Sequence, residues 1–254
     1  MSENLSREDA GNGVSILSLN RGPVNALNPA YLNEIDAELV AMDADPNVRA
    51  IVLASGLKVF SAGMDLKEAI EFSDSEQTAV VDGLNNTYTR LYSMRKPVIA
   101  AASGAAIAGG LFFILAADYT VASERGKFGL TEVRVGVNFP IAPLEIARAA
   151  LSPSALRKVM LGGNLIGAAE AKEMGMVDEV VGPDDVMDRA LAVANDYAAI
   201  PPETYAKVKG QLRQKELETI NTVLAEGSDA TRNGWYSDET RPAMAALLEA
   251  ATKK

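Results

Sequence analysis

Two five-residue runs, Ala50–Ala54 (AIVLA) and Val98–Ala102 (VIAAA), contain no polar side chain. Side chains alternate between the two faces of a strand, so a strand that is apolar throughout needs cover on both faces. That requirement predicts an α/β chain with a sheet enclosed between layers. The intervening sequence supplies the layers. Val14–Leu19 (VSILSL) reads as a further strand, and Asn28-Pro29 reads as an N-cap followed by the first residue of a helix. Leu32, Ile35, Leu39 and Met42 continue that helix as an apolar stripe, which Asp45-Pro46-Asn47 ends.

Helical sequence resumes near Leu66 and runs again from about Glu76 to Met94, until Arg95-Lys96-Pro97 breaks it. Ser103–Ala108 reads as a loop without a bulky polar group. Leu111–Ala117 is apolar on every side and reads as a buried helix, followed by a strand at Tyr119–Ala122. Beyond it, Ser152-Pro153 opens a helix, and Ala168–Met174 forms a short one stopped by Gly175. Val177–Val181 is a strand and Asp184–Ala199 a helix. Pro201-Pro202 is a hinge before two amphipathic helices, Glu203–Glu226 and Ser237–Thr252. The expected division is an α/β core over residues 1–199 and a helical region over 200–254. The latter has too little strand for its own mixed core and must pack on the α/β part or on another subunit.

The chain has neither His nor Cys and a formal charge of −10. Disulfides, thiolate nucleophiles, Cys/His zinc sites, Ser–His–Asp triads and imidazole chemistry are thereby excluded, so any proton chemistry falls to Asp, Glu, Lys or Tyr. The charge opposes nucleic acid and anionic lipid as partners. The acidic start, MSENLSREDAGNG, lacks the pattern of a signal peptide, the longest apolar run is too short to span a bilayer, and ATKK carries no lipidation or peroxisomal signal. Together these predict a cytoplasmic protein without a membrane partner.

Three places carry candidate chemistry. Gly109-Gly110 stand just before the apolar helix, where free N–H groups suit a developing oxyanion, although glycine pairs are also common turn punctuation. Phe60–Asp65 (FSAGMD) follows an apolar strand, at the carboxyl end where α/β sheets bind ligands. It offers a second N–H, although an ordinary turn has the same composition. Within it, Asp65 fits helix capping or loop bracing better than ligand contact. Glu132 lies in FGLTEV, where apolar neighbours raise a carboxyl pKa toward about 6–7 and suit it to proton transfer; the bland alternative is an exposed glutamate. Asp118 follows the apolar helix, where the dipole disfavours an anion, and calls for a structural partner. Lys58, Lys67, Lys96 and Arg95 read as solvated, with Lys67 within reach of a ligand phosphate. No Walker loop, GxGxxG fingerprint or metal-ligand cluster is present.

Five segments in order, PVNALNPAYLNEI, KVFSAGMDLKE, GAAIAGGLFFILAADYTVAS, GKFGLTEVRVGVNFP and GAAEAKEMGMVDEVV, resemble the crotonase superfamily of enoyl-CoA hydratases and isomerases. The resemblance covers nearly the whole chain. It implies a crotonase spiral of strand–strand–helix turns, with C-terminal helices that build trimers, often paired into hexamers. It implies oxyanion-hole amides from Met64 and Gly109. It also places Ser61, Ala62, Gly63, Met64 and Asp65 along the CoA thioester, with Gly109, Phe112 and Thr131 completing the substrate site. No metal or redox cofactor is required, because CoA arrives as part of the acyl-CoA substrate.

Phe112 departs from the hydratase pattern. Hydratases of this family carry one glutamate at the position aligned with Phe112 and a second at the position of Glu132. An apolar ring cannot hold or activate water, whereas Glu132 alone suffices to carry a proton between two carbons. The resemblance is therefore nearest to the Δ3,Δ2-enoyl-CoA isomerase branch. The alternatives are an atypical enoyl-CoA hydratase or other crotonase-type enzyme, and a catalytically inactive acyl-CoA-binding protein. Pocket depth is expected to depend on Glu68–Tyr92 and Asn138–Ala147.

Overall fold

The computed structural model describes residues 3–252. The first two residues of the acidic N-terminal stretch and the last two of ATKK lie outside them. The chain opens with an antiparallel pair, β1 (Leu5–Gly11) and β2 (Val14–Leu19), followed by α1 (Pro29–Ala44). The Asn28 side chain accepts from the Tyr31 amide and so caps α1. Next come β3 (Ala50–Ser55), the single turn α2 (Leu66–Ala69) and α3 (Asp74–Ser93), which starts with a reciprocal capping box between Ser73 and Glu76. β4 (Val98–Ala102), β5 (Ala106–Ile107), α4 (Gly109–Leu115), β6 (Tyr119–Ser123) and β7 (Lys127–Gly129) lead to a 3-10 turn at Glu132–Val135. The remainder is α5 (Ile141–Ala150), α6 (Pro153–Gly162), β8 (Ile166–Gly167), α7 (Ala168–Glu173), β9 (Glu179–Val181), α8 (Val186–Ala198), α9 (Pro202–Glu226) and α10 (Thr240–Thr252).

The main sheet has the order β1-β2-β3-β4-β6-β9 and is parallel apart from β1. Its apolar strands are covered on both faces. Leu17, Leu19, Ile51, Leu53, Val98 and Ala100 face the cluster that includes α1, α3 and α4, while Val14, Ile16, Val52, Ile99 and Val121 pack against α8. A second sheet, β5-β7-β8, is continued by the isolated parallel bridges Leu27–Met64 and Ser61–Ala106. Each turn of the chain thus adds one long strand to the first sheet, one short rung to the second, and then a helix. This is the spiral of strand–strand–helix turns that the resemblance implies.

Several segments differ from the sequence reading. β1 is a strand although only Leu5 of its seven residues is buried, because an edge strand needs little apolar surface. The Ser103–Ala108 loop contains β5. α4 begins at Gly109, so the glycine pair forms its first turn rather than preceding it. α5 was masked by Pro143, which lies in its first turn, where the missing N–H costs nothing. Lys96 is not simply solvated: its ammonium donates to the Met42 and Asp45 carbonyls at 2.7 and 2.6 Å, and burial lowers its pKa. Among the described residues, no helix is long and apolar enough to cross a membrane, and no cluster of three or more acidic residues is placed to hold a metal.

Candidate active site

The rungs of the small sheet bring two loops together. Leu27 N donates to Gly63 O, and Asp65 N donates to Leu27 O, at 2.7 and 2.8 Å. In a parallel bridge the residue between those groups turns its own N–H to the opposite side. The Met64 amide therefore faces the strand that carries Ile107, Ala108 and Gly109. Gly63 permits the approach. Its φ is +79°, and a Cβ there would come within 2.7 Å of Ile107 O and 3.2 Å of Gly109 N. Gly110 serves packing alone, since a Cβ would strike Ser61 O at 2.5 Å.

Ala108 holds φ 49° and ψ −128°, a conformation that a residue with a Cβ rarely adopts. It tips the peptide joining it to Gly109. The Ala108 N–H donates to Gly129 O at 2.8 Å, which ties this loop to the strand that leads to Glu132.

Met64, Gly109, Phe112, Thr131 and Glu132 line one cavity of about 560 Å³, and Ala62 also reaches it. The other walls are mainly apolar, from Leu84 and Tyr88 of α3, Val135, Val137 and Phe139 after the 3-10 turn, Trp235, and Leu247 and Leu248 of α10. Glu132 is the sole carboxylate among the lining residues. It is 8% exposed, and its Oε2 has no hydrogen-bond partner. Burial pushes its pKa up to about 8, past the range expected from sequence, because the desolvation of the charged form outweighs the one opposing contact, a hydrogen bond from its own backbone N–H. Phe112 is fully buried, its ring 5.5 Å from that of Tyr88 and 6.1 Å from that of Phe139.

Three residues expected along the thioester do not line this cavity. Ser61 is buried and donates its hydroxyl to Asn25 O at 2.8 Å, while Gly63 lies behind the Met64 amide. Asp65 caps α2 through the Lys67 and Glu68 amides and pairs with Arg21 at 3.1 Å, so its carboxylate is engaged in the bracing role. Lys58, Lys67 and Arg95 are exposed. Leu84, Tyr88, Phe139, Pro140 and Pro143 fall within the two segments singled out for pocket depth. α10 belongs to the helical region expected to pack on the α/β part or on another subunit; it does the former, and with Trp235 it adds cavity walls that no local sequence signal marks. The Trp235 indole donates to Asn138 O at 2.9 Å, and Thr240 Oγ1 donates to Gly136 O at 2.7 Å, holding this segment over the turn that carries Glu132.

Asp118 has the partner its position calls for. Lys209 Nζ and Arg213 Nη2 of α9 reach its carboxylate at 2.6 and 2.8 Å, and the Val98 N–H donates to it at 2.8 Å. Arg213 also donates to Ala117 O, just past α4, where a cation complements the helix dipole.

The site thus brings the Met64 and Gly109 backbone, a desolvated carboxyl group and apolar walls to one cavity. Such a set can polarise a carbonyl and move a proton on an apolar chain. Residues 9–252 match the family model described as enoyl-CoA hydratase/isomerase. A probable enoyl-CoA hydratase of Rhizobium meliloti is 33% identical over 242 residues, which cover 92% of this chain and 91% of that protein. The crystal structure of human mitochondrial Δ3-Δ2-enoyl-CoA isomerase superposes with a TM-score of 0.91 at 27% identity, covering 98% of both chains. The apo enoyl-CoA isomerase of Mycobacterium tuberculosis gives 0.80 at 29% identity, over 90% of this chain and 99% of that one.

Proposed function

This chain belongs to the enoyl-CoA hydratase/isomerase family, and within it we propose that the protein is a Δ3,Δ2-enoyl-CoA isomerase. The observation that carries the reading is Glu132 as the sole carboxylate lining the cavity, with the Phe112 ring in the same wall. In the proposed reaction the thioester carbonyl of a 3-enoyl-CoA accepts from the Met64 and Gly109 amides. Glu132, as carboxylate, removes a proton from C2. The electron pair left on C2 enters a dienolate whose negative oxygen the two amides stabilise. Glu132, now the acid, returns the proton to C4, and the double bond comes to rest between C2 and C3. Apolar walls keep water from competing for that proton. Ala62 and Thr131 complete the contacts around the thioester. Ser61, Gly63 and Asp65 act on that contact from behind, by holding the loop.

A hydratase must bind and deprotonate a water molecule, for which Phe112 offers no acceptor. The test is to follow trans-3-hexenoyl-CoA beside crotonyl-CoA. Conversion of the first with little hydration of the second is expected. Rapid loss of crotonyl-CoA absorbance would move the protein to the hydratases. Tight binding of both without turnover would make it a binding protein. The homotrimer or dimer of trimers implied by the resemblance belongs to the same proposal. Val208 and Leu212 on α9 are 57% and 78% exposed, apolar surface that a second copy can cover, and sedimentation equilibrium reads the mass directly.

A further inference from the structure

Tyr88 has no role in the proton transfer just described, yet it is the residue through which α3 reaches the site. Its side chain is fully buried. The ring is fixed between two side chains of α4, 5.5 Å from Phe112 and 5.1 Å from Phe113, the latter edge-on. That leaves the hydroxyl one place to point, and it donates to Gly109 O at 2.5 Å.

The start of α4 needs such a contact. Helices are ordinarily fixed at their first turn by a capping side chain. Here the N-cap is Ala108, which has none to offer and holds a backbone conformation unfavourable for a residue with a Cβ. The next two residues are glycines, whose backbones are the freest to reorient. The amide that must be aimed thus lies where no side chain of its own turn braces it. Among the described residues, the Tyr88 hydroxyl makes the one side-chain hydrogen bond to Ala108, Gly109 or Gly110. Burial and the nearby Glu132 carboxylate both raise the phenol pKa, so the group remains a donor throughout the working range.

We infer that Tyr88 is a positioning residue: its hydroxyl holds the Gly109 carbonyl, which fixes the peptide after Gly109, anchors the first residue of α4 and so narrows, across one Cα, the range over which the Gly109 amide can turn toward the thioester oxygen. The inference rests on the assignment of that amide to the oxyanion hole. It does not depend on whether the reaction is isomerisation or hydration, because both polarise the same carbonyl.

Tyr88→Phe keeps the ring packing and removes only the donor. Loss of an entire oxyanion donor typically lowers the rate about 10²–10³-fold, so a misdirected one is expected to lower kcat roughly tenfold with KM changed less than threefold. The direct readout is spectroscopic. A conjugated dienoyl-CoA bound in the site absorbs at longer wavelength in proportion to the polarisation of its carbonyl. Tyr88→Phe is expected to lose a substantial part of that red shift. Leu91→Val, a buried change one turn further along α3, is expected to lower the melting temperature and leave the shift intact. A wild-type shift in Tyr88→Phe, with or without loss of stability, overturns the inference. If the wild-type protein shows the shift but no isomerase activity, the isomerase reading fails and the Tyr88 comparison still stands. If the wild-type protein binds the dienoyl-CoA without any shift, the oxyanion-hole assignment fails, and the role of Tyr88 with it.

Discussion

Two buried carboxylates lie on either side of α4, and their surroundings are opposite. Asp118, just after the helix, is 8% exposed at its side chain and carries two cations and a backbone donor. Glu132 faces the cavity at the other end, equally buried, with one oxygen unpaired. Burying an ion is costly unless partners replace water. Asp118 meets that cost with three donors and in return fastens α9 to the end of β4 and α4. Glu132 meets it by taking up a proton, and a group that readily exchanges a proton near neutral pH is what proton transfer requires. The same residue chemistry thus serves a structural joint in one place and a candidate catalytic group in the other, and the difference lies in the partners.

The comparison breaks most easily at Glu132→Gln. If the carboxyl is the acid/base, that variant loses about 10⁴-fold in kcat, the upper end for a single general acid/base, while the protein stays folded. A rate within tenfold of wild type on trans-3-hexenoyl-CoA would remove Glu132 from the mechanism. Asp118→Asn should do the reverse. It leaves Lys209 and Arg213 buried against a neutral group, and breaking a buried pair from one side costs about 3–5 kcal/mol. Burial already pushes the Lys209 amine down to about 8 even with Asp118 present. Urea denaturation should show that loss, and kcat per folded molecule should stay within threefold. A stable Asp118→Asn protein would mean that the joint holds by packing alone.

Glu132 should also cost stability, with a pH dependence that identifies it. Its pKa is about 8 in the folded protein against 4.5 for the free group. Between those values the unfolded chain releases a proton that the folded chain keeps, so the folded state loses ground as pH rises. Relative to wild type, Glu132→Gln should gain nothing below about pH 4.5 and on the order of 3 kcal/mol at pH 7, from 1.36 kcal/mol for each pH unit. Denaturation curves of both proteins across that range check it. A pH-independent difference would show that Glu132 is ionised in the folded state.

How much of this could be read beforehand depends on whether the signal is local. The Asn28 and Ser152 caps and the all-apolar strands β3 and β4 are set by neighbours within a few residues, and all were readable. β5, β7 and β8 are two or three residues long and exist only because they pair across the spiral, so no periodicity marks them. The same holds for the sites. FGLTEV announces a desolvated glutamate because its apolar neighbours are adjacent. That Asp118 needs a partner follows from the helix before it, but Lys209 lies 91 residues further on, and nothing in the sequence joins them. Tyr88 and Trp235 reach the cavity from α3 and from the C-terminal segment by tertiary packing alone.

The smallest expected effect is the most specific. Phe112→Glu places a second carboxyl group in the wall that holds Glu132. The resemblance gives the hydratases of this family such a pair, so hydration of crotonyl-CoA is the activity to assay. Here the new side chain replaces a ring packed against Tyr88 and Phe139, and Arg134, the one cation lining the cavity, already donates to Gly162 O, Gly163 O and Asn164 Oδ1. With no cation to share, two carboxyl groups in one apolar site disfavour each other's ionisation. The proposed isomerisation needs Glu132 ionised to take the first proton, so wild-type kcat/KM should rise with pH through a midpoint near 8. In Phe112→Glu that midpoint should move upward by about one pH unit, with little hydratase activity gained. Adding a carboxylate beside Asp118 would meet cations, whereas adding one beside Glu132 meets none. A midpoint that stays put in Phe112→Glu would show that water enters the cavity and screens the pair, and the contrast between the two carboxylates would then rest on solvent access instead of partners.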